Sequence, residues 1–200
     1  VPNSPVDLNN NGKLIYTHGT PIGNTELQDP LIGISQKAIK LIRKVEMFQW
    51  IELQNSKMEK LDNRVDKETV VYTYHPIWSE ALIDSNTFKN KVNYPNPVAM
   101  PVDGLKRKVG EAKIGDFILP VELIDLMTNE TQVDLSNYDL AQMQSRSKTK
   151  ITHEGKSIFA GEDINKPAIG DIRISLYVVA PSEVSVIAEQ ANGNLAPFTL

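Results

Sequence analysis

Residues Ala38–Glu52 read AIKLIRKVEMFQWIE. From 39 to 53 the odd positions hold Ile39, Leu41, Arg43, Val45, Met47, Gln49, Ile51 and Leu53, six apolar of eight, against four of eight on the even positions from 38 to 52. Alternation with a period of two places one face of a strand against a core and the other toward polar surroundings. At ~3.3 Å per residue such a strand would run roughly 50 Å, so a bend or bulge is expected. A helical start over 35–41 is the competing reading of its first turn. Further on, Thr69–Trp78 (TVVYTYHPIW) is β-branched and aromatic, the composition of a pleated surface. Between the two, Lys57–Glu68 carries four positive and four negative side chains. The pattern predicts a hairpin, 38–53 with 69–80, closed by a solvated, charged tip.

Outward from that hairpin, Lys13–His18 suits a short strand entered through a turn at Asn11-Gly12. Residues 93–101 (NYPNPVAMP) hold three prolines, which lack the N–H of a central strand, so a structured loop covering an edge is expected. Pro120 followed by Val121, Leu123, Ile124 and Met127 predicts one short helix. Asp171–Ala180 and Val184–Glu189 are strand-like, with Asn192-Gly193 turning into a third, which predicts an antiparallel meander over 171–198. The fold class is therefore α+β, mainly β: antiparallel sheets plus one or two short helices, in a single domain over 1–200. Residues 1–11, rich in Pro and Asn, form an irregular or flexible lead-in.

Composition narrows function mostly by exclusion. The 200 residues are 40% hydrophobic, an ordinary globular value, and carry a formal charge of −4 with a pI near 5.4. That charge gives no global case for a nucleic-acid partner. With no cysteine, thiolate catalysis and Cys-based metal sites are excluded, while the compartment stays open. The longest strictly apolar run is Leu176–Ala180, far short of the ~20 residues of a membrane helix. The chain starts Val1-Pro2-Asn3-Ser4-Pro5, as a processed product or an excised piece would.

Several patterns resemble sites. Asp7-x-Asn9-x-Asn11-Gly12 opens like a calcium loop, but His18 stands where a bidentate Glu belongs, so it reads as an Asn-rich turn. His18, His75 and His153 are far apart and in no metal-binding spacing. No nucleophile elbow, phosphate-binding loop or dinucleotide fingerprint occurs. Glu122 and Asp125 share a helix face but read as solvated surface. Lys106-Arg107-Lys108 with Lys113, and Arg146 to Lys156, are locally basic and fit phosphates or acidic lipid headgroups, although ordinary loops are the simpler reading. Asn129-Glu130-Thr131 is a glycosylation sequon, relevant only in a eukaryotic lumen. Phe48, Trp50, Tyr72, Tyr74 and Trp78 would line one aromatic patch across the hairpin, which reads first as buried under another layer and second as an interaction surface. No catalytic, metal or cofactor-binding residue is assigned.

Four blocks then carry a family resemblance: Gly12–Gly19 (GKLIYTHG), Ala38–Glu52 leading to Tyr72–Glu80 (YTYHPIWSE), Asn96–Met100 (NPVAM), and Gly170–Leu176 (GDIRISL) with the closing Pro197-Phe198. In order and spacing they resemble the non-cytosolic domain of the transmembrane-protein-43 (LUMA) family. The resemblance implies a membrane helix before this region and several after it, absent from this chain. In animal members the region faces the endoplasmic-reticulum and perinuclear lumen, and emerin and lamins are associates. In a bacterial homologue, which the divergent loops would suit, it would lie in the periplasm. The family has no established catalytic residues to carry over. Two functions follow as expectations. The first is a non-catalytic, membrane-anchored scaffold that binds protein partners or itself, with no small-molecule ligand. The alternative is a hydrolase-type enzyme assembled around His75 with Ser79 or Glu80.

Overall fold

The computed structural model describes residues 1–61 and 65–198. In chain order the strands are β1 Leu14–Gly19, β2 Ile22–Gly23, β3 Leu27–Asp29, β4 Ile34–Gln36, β5 Lys40–Leu61, β6 Val65–Ser79, β7 Leu105–Lys108, β8 Ala112–Ile114, β9 Phe117–Leu119, β10 Glu130–Gln132, β11 Ile151–Glu154, β12 Ser157–Ala160, β13 Ile172–Val179, β14 Val184–Ala191 and β15 Asn194–Ala196. Two short helices, α1 Val121–Asp125 and α2 Ala141–Arg146, complete an antiparallel, mainly β fold.

The expected hairpin is β5 with β6, paired residue for residue from Met47↔Ser79 to Leu61↔Val65. Of the bend or bulge expected from strand length, no bulge interrupts the described register. The reason is that β5, at 22 residues or roughly 70 Å, does two jobs. Its first eight residues, Lys40–Met47, lie beside β13 in the body, and β7 flanks Lys40–Arg43 on the other edge. The remainder runs on as a ribbon with β6, so the strand's length is accommodated without a bulge. No helix starts over 35–41, where β4 and β5 follow each other across three residues. The expected charged tip, Lys57–Glu68, needs correction: residues 57–61 and 65–68 continue the two strands, and 62–64 lie outside the described residues.

The large sheet runs β11-β12-β13-β5-β6, with β10 also on β13. Its odd-numbered β5 face supplies Leu41, Val45 and Met47 to the core, which also takes Ile15 and Ala188 from a three-stranded sheet, β1-β14-β15. Ile114, Phe117 and Ile124 fill the space between. The two polar exceptions in the odd row are both accounted for. Arg43 donates to buried Asp29 at 2.6 Å, and Asp29 also accepts from the Leu31 and Ile32 amides. Gln49, fully buried, donates to the Ala81 carbonyl and accepts from the Ile83 amide. Buried polar groups are tolerated where such partners exist.

The C-terminal meander needs correction. Its strands are present, and β14 turns into β15 through Asn192 and Gly193, both at positive φ as a tight hairpin turn requires. Yet β13 and β14 do not pair. β13 sits between β12 and β5, whereas β14 joins β1 in the smaller sheet. The link around Pro181 therefore crosses between layers rather than turning within one. Lys106–Lys108 is likewise part of strand β7 and not a loop, and Ile151–Glu154 within the second basic stretch is β11. α1 follows Pro120 as expected, while α2 had no apolar periodicity to announce it.

Candidate functional site: the aromatic ribbon

Alternation along β5 and β6 puts Phe48, Trp50, Glu52 and Gln54 on the same face as Trp78, Pro76, Tyr74 and Tyr72, their register partners. All five aromatic side chains singled out in the sequence are thus brought onto one face, and each is half-buried. Phe48 and Trp78 meet at 5.1 Å, and Trp78 stands edge-on to Phe159 at 6.3 Å. The Arg173 guanidinium lies 4.4 Å over the Trp78 ring while donating two hydrogen bonds to Glu154 at 2.6 and 2.7 Å. Those carboxylate bonds hold the guanidinium even further above the range in which it would lose its proton.

Farther along, a segment after β6 lies over the row. Tyr94 stacks on Tyr74 at 4.0 Å and stands edge-on to Trp50 at 5.0 Å, and Phe88 approaches Tyr74 at 5.9 Å. The Tyr74 hydroxyl donates to Glu52 at 2.6 Å and accepts from the Asn90 amide. Desolvation in this cluster, then the Glu52 carboxylate, holds the phenol above its usual range. Lys89 reaches over Tyr72 at 5.8 Å.

Asn96 fixes this segment to the strand edge. Its carboxamide accepts from the Trp50 amide at 2.7 Å and donates to the Trp50 carbonyl at 2.9 Å, as a neighbouring strand would. It continues a line begun by Asp171 and Gly170, which bond the Phe48 amide and carbonyl on the same edge. The proline-rich loop therefore covers an edge, as expected, through one side chain that spacing gave no means to single out. Because the Trp50 backbone groups point at Asn96, they point away from Pro76 across the hairpin. Pro76 accordingly turns its missing N–H toward the outer edge of β6, where no ladder bond is lost.

Beyond this anchored zone the ribbon changes character. From Glu52 onward along β5, and along the outer edge of β6, no further strand pairs with it among the described residues. Leu53, Met58, Val70 and Val71 are exposed there.

The alternative expected around His75, with Ser79 or Glu80, is not assembled. His75 is exposed on β6, and Ser79 lies four residues along the same strand, roughly 13 Å away. The Ser79 hydroxyl is engaged with the Ala81 backbone, and Glu80 sits on an exposed bend past the strand. His18 pairs with Glu183 at 3.0 Å and His153 with the Tyr138 carbonyl, in separate places. No group of three His, Asp or Glu side chains suited to a metal occurs among the described residues. Asp7 and Asn11 of the Asn-rich turn serve the fold: Asp7 caps Leu8–Asn10, and Asn11 accepts from Gln190 and the Gly193 amide. Asp125 is paired with Lys108 at 2.7 Å, which holds its carboxyl below the ordinary range.

A family profile described as Transmembrane protein 43 matches residues 47–200, which include the aromatic ribbon, Asn96 and β13. The chain belongs to the transmembrane protein 43 family. It is 31% identical to Transmembrane protein 43 of Homo sapiens over 200 residues, covering 95% of this chain and 48% of that protein. To the Transmembrane protein 43 homolog of Drosophila melanogaster it is 25% identical over 193 residues, covering 94% and 49%. The chain thus spans about half the length of these transmembrane protein 43 relatives, none of which carries an enzymatic name. No solved structure matches it. Among the described residues, no helix is long and apolar enough to cross a membrane.

Proposed function

We propose that this domain is a non-catalytic interaction module of a membrane-anchored protein, held on the non-cytosolic side, that gathers protein partners through the β5–β6 ribbon. The observation that carries the reading is the ribbon itself. A two-stranded hairpin is at best marginal on its own, and an unpaired strand edge offers a row of donors and acceptors to another chain. Here the base of the ribbon is clamped by Asn96, Tyr94 and Arg173, while its outer part offers open edges with exposed Leu53 and Val71. Strand addition with apolar side chains giving selectivity is a general mode of peptide recognition. The non-cytosolic side rests on the family resemblance.

The test uses the full parent protein in its native membrane, with single cysteines at Val71 or Leu53 and any others removed. A membrane-impermeant maleimide should label them only from the non-cytosolic side. A short thiol-directed photo-crosslinker at the same positions should capture a discrete protein, whereas one at Lys148 should not. Labelling from the cytosol overturns the side, and recovery of the uncrosslinked monomer at both ribbon positions overturns the interaction role.

A further inference from the structure

A second surface, away from the ribbon, is built from the outward face of the β1-β14-β15 sheet. Leu14, Tyr16 and Ile187 all point out of it, with Tyr16 opposite Ile187 in the register, and they are 52%, 52% and 67% exposed. Ile187 also lines a cleft of about 370 Å³ together with Leu123, Met127 and Leu126, the last 74% exposed. Isolated apolar side chains on a surface are ordinary, but a contiguous set beside a cleft of mixed polarity marks a candidate contact face. A neighbouring cleft shares Met127 and Thr128 with the first and is lined by Lys40, Lys106, Arg107 and Lys108. Lys108 is spent on Asp125, whereas Lys106 and Arg107 have no ion-pair partner among the described residues.

What this face meets follows from where the chain ends emerge. The Val1 amino group donates to the Tyr16 carbonyl, and the Val1 carbonyl accepts from Thr17, so the first residue lies on β1. At the other end Ala196 is aligned with Glu189, which is itself aligned with Leu14. Strand spacing then puts the two ends within roughly 15 Å of each other on the same small sheet. The relatives are transmembrane proteins twice the length of this chain, and its described helices do not cross a membrane. A spanning segment joined near either end would bring this small sheet close to the bilayer.

We infer that the outward face of the β1-β14-β15 sheet, with the Leu126 rim, seats on a lipid surface, its apolar side chains at the headgroup boundary and Lys106 and Arg107 toward anionic headgroups. Tyr16 suits that boundary, with an apolar ring and a hydroxyl already paired to Ser185 at 3.0 Å. An apolar face flanked by basic side chains binds such a boundary by both terms at once. The inference goes beyond the partner-binding role of the ribbon and stands whether or not that role does.

Because the chain has no cysteine, the test can place one environment-sensitive label at a time. The 200-residue chain, tagged with histidines at either end, is tethered to phosphatidylcholine vesicles containing nickel-chelating lipid, with or without phosphatidylglycerol and with acyl-chain spin labels as quenchers. Labels on Ile187→Cys and Leu126→Cys should shift to the blue and be quenched several-fold more than a label on Val98→Cys, which is 89% exposed on the segment after β6. Phosphatidylglycerol should deepen the quenching, and Lys106→Ala with Arg107→Ala should cancel that gain. Leu126→Glu, at an exposed position, should reduce quenching at 187 without changing the thermal melt. Equal quenching at 187 and 98 overturns the inference. So does a blue shift at 187 that appears without vesicles and grows with protein concentration, which would assign the face to a second copy.

Discussion

At the scale of single residues, the domain depends on polar side chains placed where the alternation pattern calls for apolar ones. Asp29 is fully buried, and one of its oxygens takes Arg43 together with two amides. Removing one partner of a buried pair leaves the other charged and dry, so Asp29→Ala should destabilise by about 3–5 kcal/mol in urea unfolding, and Asp29→Ala with Arg43→Met by less. Asn96→Ala deprives the Trp50 amide and carbonyl of partners and should cost about 1–3 kcal/mol, with faster amide exchange at Trp50. Asp125 gives a pH signature. Lys108 hydrogen-bonds its carboxylate and depresses its pKa in the fold, so the stability gained is present above the unfolded value and fades as pH falls through the folded one. An NMR titration should find the Asp125 midpoint below its ordinary value, rising toward it in Lys108→Met. Arg43 and Gln49 look like breaks in the pattern when read along the chain. Their meaning lies in residues 29, 81 and 83, which are distant in sequence or belong to a loop, and pattern reading has no access to such pairings.

At the scale of elements, the hairpin was legible because period-two alternation runs from Ile39 to Leu53, although the strands continue beyond it through residues without that pattern, and the register places Phe48 and Trp50 on one face with Tyr72, Tyr74 and Trp78. What covers those rings was not legible. Tyr94 and Phe88 come from a segment with no regular periodicity, and only the fold shows them stacked on Tyr74. The meander failed for a related reason: strand pairing is set by which apolar faces need cover, and β14 buries Ala188 and Gln190 beside β1, not beside β13. Trp50 separates the two readings of the patch. It is half-buried against Tyr94, so Trp50→Ala should cost less than the ~3–5 kcal/mol of a fully enclosed Trp and leave the chain folded. Hydrogen exchange should then quicken at Asn90 and Asn96, in the covering segment. Global unfolding on that substitution would instead make the row part of the core.

At the scale of the molecule, the fold and the proposed association role fall on two stretches of the same strand. Lys40–Met47 is committed to the body by β13 on one edge and β7 on the other, and the buried core draws on its odd face. Past the Asn96 clamp the ribbon buries little, since residues 53–58 and 68–71 are exposed. So long a pair of strands in solvent adds little buried surface to the fold, which is what the proposed partner-binding role of the ribbon would account for. That division can be cut genetically. Asn55 and Val71 are aligned and of the parity whose backbone groups face each other, because those of Trp50 face outward to Asn96. Replacing 56–70 by Asn-Gly should therefore close a tight two-residue hairpin without shifting the register. The shortened chain should unfold within about 1 kcal/mol of the parent, as changes away from core features do. In the native membrane it should nevertheless lose the protein captured from position 71 while keeping the lipid contact of Ile187. A shortened ribbon that still captures the partner would move the interaction to the body of the domain, and one that fails to fold would make the ribbon a structural element.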